Sequence, residues 1–196
     1  MKRDMDLKNR PPLLISENDL TRNAVAIALT EDNQIIFELR SKTITHQPGD
    51  ICLPGGQVEP NETPEQAAIR EMTEELLVAP SQIELIAPVS ILITGGLEIH
   101  VFLCRLHDYS GTYQTDEVSS ILRVPLSFFL ETKPEIHEVG WEPILPDDFP
   151  FDRIYGGRDY SWRVRKSKIR FYEYKGHTIW GITARIMEAF AASISS

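Results

Sequence analysis

Cysteine is scarce: Cys52 and Cys104 are the only two in 196 residues. Each sits inside an apolar, strand-like stretch, so buried reduced thiols are the expectation rather than a disulfide, and they suit the cytoplasm. Long apolar runs are missing as well; none approaches the roughly 18 residues that a membrane-spanning helix needs. The opening stretch, MKRDMDLKNRPPLL, mixes acids with bases and lacks an apolar segment, which argues against a secretory leader. Positive charge is in deficit, with 20 Lys and Arg against 29 Asp and Glu and a formal net charge of -9. That balance argues against a general nucleic-acid or membrane-surface binder. It leaves room for a small polyanionic substrate, because bound cations invert a local field. No Gly/Ser linker, internal repeat or low-complexity tract divides the chain, and its length allows one core.

Patterning gives the elements. NAVAIAL, the turn-prone TEDN and QIIFELR read as a hairpin of strands. HQPGDICLPGG reads as a loop carrying a short strand into a double glycine. TPEQAAIREMTEELL reads as a helix in which Thr63 is the N-cap, Pro64 the first helical residue and Gln66 the partner of a capping box. QIELIAPVSILIT and LEIHVFLCRL are further strands, VPLSFFLE a short helix, PDDFPFDRIYGGRDYS a loop and IRFYEY a strand. TARIMEAFAASI closes the chain as an amphipathic helix with Ile186, Met187, Phe190 and Ile194 on one stripe. The sum is a mixed sheet with a few helices, an α+β or α/β arrangement.

The segment from Gly56 to Val78 gathers Glu59, Glu62, Glu65, Glu71, Glu74 and Glu75. Residues three and four apart share a helix face, so Glu71, Glu74 and Glu75 are expected along one edge beside the apolar stripe of Ala68, Met72 and Leu76. Arg70 stands four before Glu74 and cannot neutralise the cluster alone. Crowded carboxylates raise one another's pKa unless a cation fills the site, and hard divalent cations such as Mg²⁺ or Mn²⁺ take oxygen ligands. The glycines just upstream let backbone approach metal or substrate without a Cβ in the way. A solvated acidic face is the bland alternative.

The spacing decides against it. Gly56, five residues, Glu62, seven residues and then REMTEELLV is similar to the Nudix box, with Arg70, Glu71, Met72, Glu74, Glu75 and Val78 in register. One position departs: Leu77 stands where the pattern has glycine. The pattern's glycine is expected to end the helix in a left-handed conformation that costs a residue with a side chain about 1 kcal/mol, and a different helix end at Leu77 is the alternative. The resemblance implies an α/β fold, an α/β/α sandwich around a mixed β-sheet, and hydrolysis of a nucleoside diphosphate linked to another group. The expected layout is an N-terminal extension over 1–21 and a single domain over 22–196. The resemblance further implies that Glu71, Glu74 and Glu75 bind Mg²⁺ or Mn²⁺, that the Gly56 carbonyl adds a ligand, that Arg70 orients a carboxylate and that Glu62 is structural.

Just upstream, LRSKTITHQPGDICLPGG resembles the added signature of Nudix enzymes acting on coenzyme A, through Arg40, Ser41, Gly49, Pro54, Gly55 and Gly56. Thr45 replaces its second arginine and Leu53 its phenylalanine. A hydroxyl cannot pair bidentately with phosphate as a guanidinium does, so Lys42 or His46 is the candidate substitute. HTIWGITARI and DEVSSILRVPLSFFL resemble downstream segments of the same subgroup. The implied substrate contacts are Arg40, Ser41, Lys42, His46 and Gly55. The implied products from coenzyme A are 3',5'-ADP and 4'-phosphopantetheine, with either Glu71 or Glu117 as the base. A basic run through Arg153, Arg158, Arg163, Arg165, Lys166, Lys168 and Arg170 is a candidate phosphate dock, across a homodimer interface or as an ordinary solvated face. Tyr160, Trp162 and Trp180 are candidates to stack on adenine, with core packing the stronger expectation for Trp180. The rivals are a hydrolase of ADP-ribose, NADH or a similar compound, and a ligand sensor without catalysis, which the intact carboxylates disfavour.

Overall fold

In the computed structural model, which describes residues 20–45 and 47–195, the expected hairpin is formed by β1 (Thr21–Thr30) and β2 (Gln34–Arg40). The loop beyond it carries β3 (Ile51–Cys52) and β4 (Gly55–Gln57). The glutamate segment is α1 (Pro64–Leu76), capped as its sequence predicts. The Thr63 hydroxyl accepts the Gln66 N–H at 3.3 Å, and the Gln66 side chain accepts the Thr63 N–H at 2.8 Å. After it come β5 (Ile83–Thr94), β6 (Leu97–Leu106), β7 (Val118–Pro125) and α2 (Leu126–Glu131). The chain ends through β8 (Glu135–Trp141), β9 (Arg165–Tyr174), β10 (His177–Trp180) and α3 (Gly181–Ile194).

The main sheet runs β3-β2-β1-β6-β5, with β4 paired to β1 and β7 to β2. Its one parallel pairing among the described residues joins β1 to β6, Thr21 opposite Leu97 through to Thr30 opposite Leu106, and makes the sheet mixed. Alternation along β1 and β2 sends side chains to two separate cores. Ala24, Ala26, Ala28 and Ile36 meet Ala67, Ala68, Met72 and Leu76 of α1. Ile27, Leu29, Ile35 and Phe37 face Phe129 of α2 and Ile186, Met187 and Phe190 of α3. The result is the expected α/β/α sandwich. A second, three-stranded sheet of β10-β9-β8 supports α3. No helix among the described residues is long and apolar enough to cross a membrane. Apart from its last two residues, the expected extension over 1–21 lies outside the described residues, as does His46.

Candidate active site

The two glycines before α1 are dictated by crowding. A Cβ on Gly55 would enter the Ala24 carbonyl and the Val25 backbone, and one on Gly56 would enter the Glu71 carboxylate. The β4 backbone therefore lies against both β1 and the helix; only glycine fits at Gly55, whereas a Cβ at Gly56 would displace the Glu71 carboxylate. Arg70 then ties the helix to its loop. Its Nε and Nη2 bond the two Glu62 oxygens at 3.0 and 3.1 Å, Nη1 reaches Glu71 at 2.9 Å and Glu74 at 3.2 Å, and Nη2 bonds the Gln57 carbonyl at 3.1 Å. This pairing holds Glu62 below the usual carboxylate range and keeps Arg70 charged. Glu62 is thus a structural strut, as expected.

The three box glutamates do not share one environment. Glu74 points outward, Glu71 is half-buried beside Gly56, and Glu75 is buried at 6% exposure. Glu75 Oε2 accepts the Gly55 N–H at 2.8 Å. Burial, then the nearby charges of Glu71 and Glu117, push the Glu75 carboxyl up to about 8 against the pull of Gly55 N–H and Arg40. Burial also raises Glu71, although Arg70 opposes it.

Glu117 arrives from the segment after β6. The Gln114 N–H bonds the Glu75 carbonyl at 2.8 Å, and the Gln114 side chain accepts the N–H groups of Asp116 and Glu117 at 2.7 and 3.0 Å. The Ser41 N–H bonds the Glu117 carbonyl at 2.7 Å. The segment is thereby pinned between the end of α1 and the end of β2. Leu77 ends the helix in the left-handed conformation, φ 54° and ψ 46°, that the pattern assigns to glycine.

A residue that sequence reasoning missed is Glu38. It lies in the middle of β2 at 1% exposure, and its Oε1 makes no hydrogen bond. Burial first, then the Glu75 charge, raise its carboxyl well above the usual range, with Glu117 and Glu71 adding and Arg40 opposing. A glutamate inside the otherwise apolar IIFEL was the available signal.

A cavity of about 710 Å³ opens beside the glycines. Arg40, Asp50, Gly55 and Gly56 form its polar side, while Leu97 and Ile182 are among its apolar lining. Trp180 corrects an expectation. It is 41% exposed at the cavity, stacks on Phe171 and donates from Nε1 to Asp50 at 3.2 Å. The core position expected for it belongs to its neighbour Ile179, which points to the opposite face of β10. Ser41 bonds the Thr43 hydroxyl at 2.7 Å, and Lys42 is exposed and does not line the cavity. The basic run lies elsewhere. Arg163, Arg165 and Lys166 border an open groove of about 960 Å³ with Trp141, Tyr160 and Trp162, and this groove contains none of the box residues. Lys166 pairs with Glu138 at 2.7 Å, and Arg170 pairs with Glu188.

The donor chemistry fits a hard divalent cation: Glu71, Glu74 and Glu75 offer only carboxylate oxygens, and burial beside the Glu71 and Glu117 charges disfavours an unneutralised Glu75 carboxylate. Among the described residues, no three acidic, His or Cys side chains converge as they stand. Arg70 bonds one oxygen each of Glu71 and Glu74, and the Gly55 N–H bonds one oxygen of Glu75, so each carboxylate keeps a second oxygen for ligation.

A protein-family model described as NUDIX domain matches residues 20–146. The chain is similar to Nudix hydrolase 22, chloroplastic, of Arabidopsis thaliana: 26% identical over 177 residues, 84% of this chain and 52% of that one. It is also similar to Peroxisomal coenzyme A diphosphatase NUDT7 of Mus musculus: 30% identical over 106 residues, 53% of this chain and 44% of that one. The chain thus spans about half the length of these curated relatives. DR0079 from Deinococcus radiodurans, a crystal structure, matches with a TM-score of 0.50 at 22% identity over 64% of this chain and 77% of that one, a likeness of fold alone.

Proposed function

Because this chain belongs to the NUDIX domain family, we propose that it hydrolyses the diphosphate bond of coenzyme A or its derivatives, giving 3',5'-ADP and 4'-phosphopantetheine or its acyl form. The observation that carries this reading is the cavity beside Gly55 and Gly56, which joins a polar side at Arg40 to an apolar wall at Leu97 and Ile182. Such a cavity suits a ligand with a diphosphate at one end and a long, weakly polar arm at the other. The likeness to the mouse coenzyme A diphosphatase supports it.

In this reading Glu71, Glu74, Glu75 and the Gly56 carbonyl hold Mg²⁺ or Mn²⁺. The bound cation supplies neutralisation of charge on the diphosphate oxygens and a lowered pKa for the attacking water. Arg40 pairs with a phosphate of the substrate, and Arg70 orients Glu71 by the hydrogen bond already described. A carboxylate oxygen of Glu71 or Glu117 takes the proton of the water whose oxygen attacks phosphorus, as the bridging P–O bond breaks. The two free cysteines suit a reducing compartment, and the cytoplasm is the one proposed.

Thr45 favours a second reading, because without the second arginine the loop binds a 3'-phosphate less firmly. ADP-ribose or NADH is then the substrate. Product analysis with equal coenzyme A, ADP-ribose and NADH in Mg²⁺ or Mn²⁺ separates the readings. Metal-dependent release of 3',5'-ADP from coenzyme A in preference to the others is expected. Preferential cleavage of ADP-ribose or NADH would keep the chemistry and discard this substrate, and inactivity on all three would favour an untested diphosphate or a binding role.

A further inference from the structure

Glu38 is a buried acid that the box does not contain. Along β2, Phe37 and Leu39 belong to the layer beneath α3, whereas Ile36 packs in the layer beneath α1. Alternation therefore sends Glu38 to the α1 side, between its strand partners Ile121 on β7 and Cys52 on β3. That is the side from which Glu75 descends to take the Gly55 N–H. Glu75 is the nearby charge that acts on Glu38 most strongly, followed in the same sense by Glu117 and Glu71.

At 1% exposure the Glu38 Oε1 has no hydrogen-bond partner among the described residues. An apolar side chain would fill the same strand position without that desolvation cost. Packing alone does not account for a carboxylate there. A cation held among these glutamates does, because it gives the unpartnered oxygen a ligand role and balances the crowded charge.

We propose that Glu38 is a further cation ligand, contributed by the sheet, that completes from below the site Glu75 closes from the helix. The inference rests on the metal-binding reading of the box given above. It makes the site a join between β2 and α1 rather than a feature of one helix edge.

Mn²⁺ binding measured by isothermal titration calorimetry, with thermal melts of the same samples without metal, tests this on wild type, Glu38→Gln, Glu38→Leu and Glu75→Gln. Both Glu38 variants are expected to melt at or above the wild-type temperature without metal, since a like charge has gone. They are expected to bind Mn²⁺ at least about 10-fold more weakly, the loss of one charged ligand. Wild-type Mn²⁺ affinity in Glu38→Gln, or in Glu38→Leu should the former not fold, alongside weakened binding in Glu75→Gln, would overturn the role of Glu38 and leave the box reading intact. A wild-type protein that takes up no Mn²⁺ would overturn both.

Discussion

Leu77 holds with a side chain the conformation that the family pattern gives to glycine, at φ 54° and with 55% of its surface exposed. The left-handed region costs such a residue about 1 kcal/mol, and glycine's greater freedom in the unfolded chain takes back several tenths. Leu77→Gly is therefore expected to stabilise the protein by about 0.5 kcal/mol, read as a higher urea midpoint at unchanged slope. A lower midpoint would mean that the Leu77 side chain packs more than its exposure indicates. Residue identity announced this position; the resemblance implied a structural Glu62, but its pairing with Arg70 came only with the fold. Nor did residue identity announce how the box glutamates divide. Helical period fixes the direction in which Glu71, Glu74 and Glu75 leave the helix. Which one meets Arg70 and which meets Gly55 depends on the sheet beneath, and only the fold supplies that. The same holds for Glu38, whose burial depends on strands remote in sequence.

Among the elements, α1 was the most legible because both of its ends carry chemical signals. Thr63→Ala removes the acceptor of the Gln66 N–H and is expected to cost about 1 kcal/mol by chemical denaturation. A second prediction concerns the β1–β2 turn and β5, which His107 joins at the end of β6. Its ring nitrogens lie 3.3 Å from both Glu31 and Glu84, and those hydrogen bonds, Glu31 first, raise its pKa above the ordinary 6.5. A raised folded pKa means that the charged ring is favoured on folding. The gain is complete below pH 6.5 and is lost as pH rises through the folded value. His107→Gln is accordingly expected to lower the urea midpoint at pH 5.5 and to match wild type at pH 8.5; equal differences at both would remove the ion pairs from the account. Least legible was β8. Nearly every residue of EIHEVGW is exposed, so no buried face imposed a period-two pattern, and its pairing is specified only by β9.

At the scale of the whole molecule, composition excluded more than it specified. The formal charge of -9 is compatible with a local basic groove on the second sheet, well separated in composition from the acidic helix edge. The sandwich was implied by the family resemblance, patterning alone giving a mixed sheet with a few helices, and the parallel pairing of β1 with β6 joins residues 76 apart, Thr21 with Leu97, and left no local mark. That pairing helps align the β1 end beside which β4 and the glycines sit, so the site is assembled by topology around a motif already visible in sequence. In the metal-binding reading proposed above, these crowded carboxylates persist because a divalent cation occupies them. Glu75→Gln keeps the shape and can still accept the Gly55 N–H while removing a charged ligand. The most direct measurement is therefore the turnover number of Glu75→Gln on coenzyme A at saturating Mg²⁺, with circular dichroism to verify the fold. The account predicts a loss of at least about 100-fold in a folded protein; near-normal turnover would contradict it and place the cation elsewhere.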